Sequence, residues 1–288
     1  VNLDQNGIVM TGQASLGPSP VDFVWKDNFA DDGKPAELTA KGVMTADFLN
    51  GFGLLGRAYM TGEAPIDVKA TLEGAGLETA LVQVDFKDAR LDVAEIGWLK
   101  PRGGASNATI NYARAGENMT SRVRFTADGA ALDGDFTLRA ADSRLVSADL
   151  RRAFFRNVAD VNGKMSRGAA DQIILTLGGR HLDISGLMPG LGGLGGEEGK
   201  AGSPMNLTAA VDRLTLRPGL DLRSARLVLM TNRTGLETVT ANGIAGDGAP
   251  LAASIDASGS GPARLSVTSG DAGFLASAFL NTDFISGG

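Results

Sequence analysis

His181 is the only histidine in the chain, so any serine–histidine–aspartate machinery would have to use it as its base. It stands in Gly178-Gly-Arg-His-Leu-Asp-Ile184 at the start of a predicted strand, with Asp183 two residues on and therefore on the same face. No G-x-S-x-G elbow or other activated serine accompanies it, so a same-face polar pair is the reading its neighbours favour. Gly190, Gly192 and Gly195 spell G-x-G-x-x-G. A dinucleotide loop needs a strand before it and a helix opening after it, whereas here more glycine and the acidic pair Glu197 and Glu198 follow. Asp27, Asp31 and Asp32 form an acidic turn whose oxygens would suit calcium, but they lack the spacing of a calcium loop. Asp85, Asp88, Asp92 and Glu95 could supply a glycosidase pair, yet most fall in turns or on the polar parity opposite Val84, Phe86 and Leu91. Asn107, Asn118, Asn206 and Asn232 begin N-x-S/T triplets, which matter only in a host that glycosylates proteins. One histidine and Cys 0 leave no histidine- or thiolate-based metal site, and the chain is expected to hold no metal or cofactor.

The elements that carry these residues are strands. Ile8, Met10, Ala14 and Leu16 share one parity, as do Val21, Phe23 and Trp25, then Ile66, Val68, Ala70 and Leu72, then Val82, Val84 and Phe86. The same beat returns at Leu207, Ala209 and Val211, at Ala225, Leu227 and Leu229, and at Leu251, Ala253 and Ile255. Successive strand residues point to opposite faces, so the pattern predicts a long antiparallel β-protein with one apolar and one polar face. A sandwich or barrel core is the usual cover for such a face. An open trough is the other possibility: a six-residue strand spans ~20 Å, and roughly 15 strands at ~4.8 Å each would make a sheet up to ~70 Å long.

Composition narrows the function classes. The 288 residues are enough for one large β domain or two smaller ones, and 43% hydrophobic with 21% charged residues is ordinary for a folded domain. Gly 40 against Pro 10, with aromatics at 6%, predicts many turns and an aliphatic filling. A net charge of −6 and no Lys/Arg cluster interleaved with aromatics argue against nucleic acid as a partner. No window approaches the 18 continuous apolar residues of a membrane helix, and residues 1–7 do not resemble a signal peptide. Any anchor or export signal is expected outside this segment, which starts at Val1 and reads as part of a longer protein.

Along the chain, residues 1–185 are expected to form a first β segment of about a dozen strands. A short helix is predicted over Thr45 to Leu54, with Thr45 capping and Phe48, Leu49 and Phe52 on one face. Residues 186–204 are glycine-rich and are expected to be a flexible loop. Residues 205–288 give five or six more strands that continue the same sheet, then a helix capped by Asp271 with Phe274, Leu275, Ala278 and Phe279 on one face.

Three stretches carry a family resemblance. Leu91-Asp-Val-Ala-Glu-Ile-Gly-Trp-Leu-Lys-Pro-Arg-Gly103 resembles the "gW-x-K-P-x-G" segment of the AsmA-like, YhdP-type envelope proteins of Gram-negative bacteria. Gly179-Arg-His-Leu-Asp-Ile-Ser185 is similar to their "G-x-x-L-D-l-s" segment, after which a variable insertion is common. Residues 264–275, leading to Ile285-Ser-Gly-Gly288, resemble their "D-a-G" helix and the following "i-x-G-G". The resemblance implies a repeating β-groove in a periplasmic protein anchored in the inner membrane, which carries phospholipid between the inner and outer membranes. It implies no catalytic residues. Gly97, Trp98, Lys100, Pro101, Asp183, Asp271 and Gly273 have the chemistry of turns, corners and caps.

These observations lead to an all-β expectation: a long, strongly curved antiparallel sheet forming a groove or taco-like open barrel, with a few short helices. Its expected ligand is a phospholipid or other acyl-chain lipid. The candidate groove residues are Val68, Leu72, Val84, Phe86, Val123, Phe125, Phe136, Leu138, Leu175, Leu177, Leu227 and Leu229. A non-enzymatic envelope assembly module with a closed β core is the second expectation. A hydrolase on a β scaffold is the third.

Overall fold

In the computed structural model, residues 1–16, 19–29, 34–51, 59–74, 76–94, 97–142, 144–185, 203–217, 219–233, 235–246, 248–258 and 262–271 are described. The chain divides by compactness into Val1–Ala148 and Asp149–Gly288. The protein is all-β: seventeen strands belong to one large sheet that is not closed into a barrel, and three form a small second sheet.

The amino-terminal unit holds β1 (Asn2–Asp4), β2 (Gly7–Leu16), β3 (Ser19–Asn28), β4 (Ala36–Met44), helix α1 (Ala46–Gly51), β5 (Met60–Thr61), β6 (Ala64–Glu73), β7 (Gly76–Asp85), β8 (Arg90–Val93), β9 (Trp98–Lys100), β10 (Ser106–Ala115), β11 (Asn118–Ala127) and β12 (Ala130–Arg139). Its strands pair antiparallel in the order β1, β2, β3, β4, β6, β7, β10, β11, β12. The strands are ordered this way because tight turns connect most neighbours. The β10–β11 turn places Gly116 at φ +62, and the Asp128-Gly129 turn between β11 and β12 places Gly129 at φ +72. Glycine meets such angles without the penalty of a Cβ, which is why these two-residue hairpins keep their strands in register over ten residues.

Two connections are longer and make a separate structure. α1 and β5 lie between β4 and β6, and β8 and β9 lie between β7 and β10. β5, β8 and β9 pair as the small antiparallel sheet. The predicted helix is therefore present over Ala46–Gly51; its expected continuation to Leu54 lies outside the described residues.

β13 (Leu145–Phe155) spans the division between the units. The carboxyl-terminal unit continues with β14 (Ala159–Arg167), β15 (Ile173–Asp183), β16 (Met205–Arg217), β17 (Leu220–Asn232), β18 (Gly235–Ala245), β19 (Ala249–Asp256) and β20 (Arg264–Ser269). From β14 to β20 each strand pairs with the next. The antiparallel expectation meets one departure here: β15 and β16 are parallel, running in register from Ile173↔Met205 to Asp183↔Thr215. Asp183 and Met205 therefore stand at opposite ends of the ladder that their connection joins. The glycine-rich residues 186–202, with Gly190, Gly192, Gly195, Glu197 and Glu198, lie outside the described residues, as does the helix expected after Asp271.

Candidate functional site

In the amino-terminal unit, side chains of one parity form rows that cross the strands. Ala40, Val68, Val82, Ile110, Val123 and Gly134 are successive cross-strand partners on β4, β6, β7, β10, β11 and β12. A parallel row runs through Gly42, Ile66, Val84, Ala108, Phe125 and Leu132. Of the candidate groove residues in this unit, Val84 is buried, while Val68, Leu72, Phe86, Val123, Phe125, Phe136 and Leu138 are half-buried. On β11 the alternation is complete: Met119, Val123 and Phe125 are half-buried and Arg122, Arg124 and Thr126 exposed.

The difference between the two rows has a structural cause. Met44, Met60, Ala64, Ile66, Val84, Ala89 and Ala108 form a buried cluster, with Leu49, Val68, Val82, Phe86, Leu91 and Phe125 packed against it. α1 and the small sheet thus cover the apolar face at one end of β6, β7, β10 and β11. Trp98 and Phe86 both meet Phe125 edge to face, with ring centroids 6.1 and 6.0 Å away. Lys100 fixes this cover. Its side chain is only 2% exposed, and its Nζ donates to the carbonyls of Phe86, Lys87 (3.1 Å) and Ala89 (2.7 Å). An ammonium has three donors, and the connection after β7 supplies three acceptors, so the buried charge is satisfied. Burial nevertheless holds its pKa below the usual lysine range, against the opposing pull of Asp85 and Asp88.

In the carboxyl-terminal unit the apolar side is sealed, with the buried parity switching between Val211 and Leu214, where Asp212 and Arg213 are both exposed. Leu207, Ala209, Val211, Leu214, Leu216, Leu220, Leu222, Ala225, Leu227 and Leu229 belong to one buried cluster, with Leu214 and Leu222 at 0% exposure. The last four candidate residues meet in two rows: Leu175 beside Leu207 and Leu229, and Leu177 beside Ala209 and Leu227. Leu175 and Leu177 are half-buried, Leu227 and Leu229 buried.

The opposite face is polar. Directly opposed residues make the ion pairs Lys41–Asp67 (2.9 Å), Arg122–Asp135 and Arg124–Asp133 (both 3.8 Å). Among the shallow hollows of the amino-terminal unit, one is bordered by Lys69, Thr71, Thr79 and Asn111 and another by Lys41, Asp67, Gln83 and Thr109.

Several of the residues with candidate chemistry have structural partners. His181 Nε2 lies 3.2 Å from Thr215 Oγ1, and the Thr215 hydroxyl donates to Asp221 Oδ1 at 2.6 Å. The order is histidine, hydroxyl, carboxylate. The aspartate accepts from the threonine and orients it. Burial, then the Arg213 charge, lowers the His181 pKa. Asp183 accepts the Ser185 backbone N–H at 2.8 Å. Asp85 accepts the Lys87 backbone N–H (2.9 Å), and Asp92 pairs with Arg90 (2.7 Å). Asp31, Asp32 and Glu95 lie outside the described residues. Among the described residues no three His, Asp or Glu side chains converge on a point where a metal could sit.

Sequence reasoning picked out Leu91, Trp98 and Lys100 but not Met60 and Ala89, which join them in the cover. In the structure Trp98 and Lys100 are buried and Leu99 exposed, an alternation that the charge of Lys100 disguises in the sequence. No family model, no curated protein and no solved structure matches this chain.

Proposed function

We propose that the chain is a periplasmic segment of an AsmA-like envelope protein whose open sheet curves into a groove and carries phospholipid acyl chains between inner and outer membranes. One observation carries this reading. Across β6, β7, β10 and β11 the aliphatic row Val68, Val82, Ile110 and Val123 is only half-buried, in a sheet that does not close. An aliphatic surface without directional polar groups suits a ligand held by burial alone. Transfer is then movement of lipid along the surface, with no bond made or broken. The resemblance through Gly97–Gly103 and Gly179–Ser185 supplies the periplasmic setting and an inner-membrane anchor outside this segment. No helix among the described residues is long and apolar enough to cross a membrane.

The buried cluster of the carboxyl-terminal unit favours a second reading, an envelope assembly module with a closed core. Native mass spectrometry of the purified chain, combined with lipid extraction, separates the two. Co-purifying phospholipid that disappears in Val123→Asp, with the variant still folded, supports carriage. A lipid-free chain that Val123→Asp simply unfolds supports the closed module.

A further inference from the structure

We infer that lipid on the amino-terminal unit lies along the strands, not across them, with its acyl end stopped by Phe86, Trp98 and Phe125 and its phosphate beside Arg114. This rests on the carrier reading above and adds an orientation and a length limit to it.

The two ends of β10 differ. At one end Ala108 is buried beneath the small sheet, and its β11 partner Phe125 is wedged against Phe86 and Trp98. The apolar parity then continues through Ile110 and Tyr112, both half-buried, to Arg114, which is exposed and whose guanidinium lies beside Gly76. The same parity on β11 ends at Met119, the partner of Arg114, and on β12 at Leu138. The lane thus has an apolar, aromatic closed end and an open end with a cation on the apolar side. Six residues of strand separate Ala108 from Arg114, roughly 20 Å at ~3.4 Å per residue. One acyl layer of a bilayer fills about half of a ~30 Å core when disordered and reaches further when extended, so a single chain fits the lane.

Charge sets the direction. A phosphate at the closed end would have to displace apolar and aromatic contacts, with the Lys100 ammonium already committed to three carbonyls. At the open end it meets the solvated Arg114 guanidinium, the geometry that favours phosphate. Lys100 acts as a positioning residue: it holds the stop and does not touch lipid.

The test uses the intact chain and two photoactivatable phospholipids with sixteen-carbon chains, one with a diazirine at the acyl terminus and one with it near the glycerol. The terminal probe is expected to label peptides containing Phe86, Trp98 and Phe125 at least about fivefold more than those containing Met119 and Leu138, and the glycerol probe to show the reverse. Even labelling by both probes along the strands, or inverted labelling, overturns the orientation while leaving carriage intact. No labelling by either probe overturns carriage and the orientation with it. Native mass spectrometry adds a length readout: Trp98→Ala, or the milder Phe125→Leu, is expected to shift bound lipid toward longer acyl chains. An unchanged chain-length distribution in a folded variant overturns the stop.

Discussion

The apolar parity of the amino-terminal unit and that of the carboxyl-terminal unit are built from the same aliphatic alternation and end in different surroundings. Val68, Val123 and Phe125 are half-buried, beside a buried cluster at one strand end and the small buried side chains Ala70 and Ala80 further along. Leu207, Leu214, Leu222, Leu227 and Leu229 are sealed along the length of their strands. The contrast teaches that alternation assigns a residue to a face and leaves open what covers that face. In the amino-terminal unit the cover is local and held by a buried cation.

The largest expected effect tests the contrast directly. Leu227→Asp places an unpaired carboxylate where the parent side chain is 1% exposed, and it should destabilise the carboxyl-terminal unit by at least about 4 kcal/mol. Val123→Asp should leave the protein folded by circular dichroism and thermal melting, because a half-buried site can hydrate the new charge. If both variants unfold alike, the two faces are equivalent and the contrast fails.

Lys100→Met comes next. It strips three carbonyls, one of them buried and two part-buried, of their donor and should cost about 2–4 kcal/mol, with hydrogen exchange rising around residues 86–100 and unchanged in β16 and β17. The pH dependence has a definite sign. Between the lowered folded pKa and the ordinary 10.5, the unfolded chain binds more protons than the folded one, so stability rises as pH climbs through that window. Lys100→Met lacks this gain. Its deficit relative to the parent should therefore widen as pH approaches 10.5, as chemical denaturation at several pH values would show.

Asp221→Asn should have a smaller effect. It keeps a hydrogen bond to Thr215 but removes the charge that also faces Arg213 at 3.5 Å, and a loss of about 1 kcal/mol is expected by urea denaturation. The smallest effect is expected on the polar face, where Arg122→Ala breaks a solvated pair at 3.8 Å and should change stability by less than about 0.5 kcal/mol. A larger loss there would mean that the polar face bears part of the sheet's stability.

Strand identity was legible because period-two alternation depends only on side-chain direction, and it located the rows through Val84 and Phe125. The parallel pairing of β15 and β16 was not legible: Leu175, Leu177, Leu207 and Ala209 alternate identically in either orientation. Neither was the different burial of Val123 and Leu229, which depends on elements far away in sequence. Lys100 misleads by its chemistry, since a lysine on the apolar parity normally signals a strand end or the wrong register. Its three carbonyl partners come from a connection whose path no local pattern encodes.

The parallel seam also bears on how the protein folds. An antiparallel pair such as β10 and β11 can zip outward from its turn, because its nearest residues, Ala115 and Asn118, are almost adjacent in sequence. Along β15 and β16 every partnered pair is separated by about thirty residues, from Ile173↔Met205 to Asp183↔Thr215, so this seam has no short end from which to start. Hairpins on either side can form early and independently. The seam must then join them in one non-local step, which makes it the expected rate-limiting event in assembling the carboxyl-terminal unit.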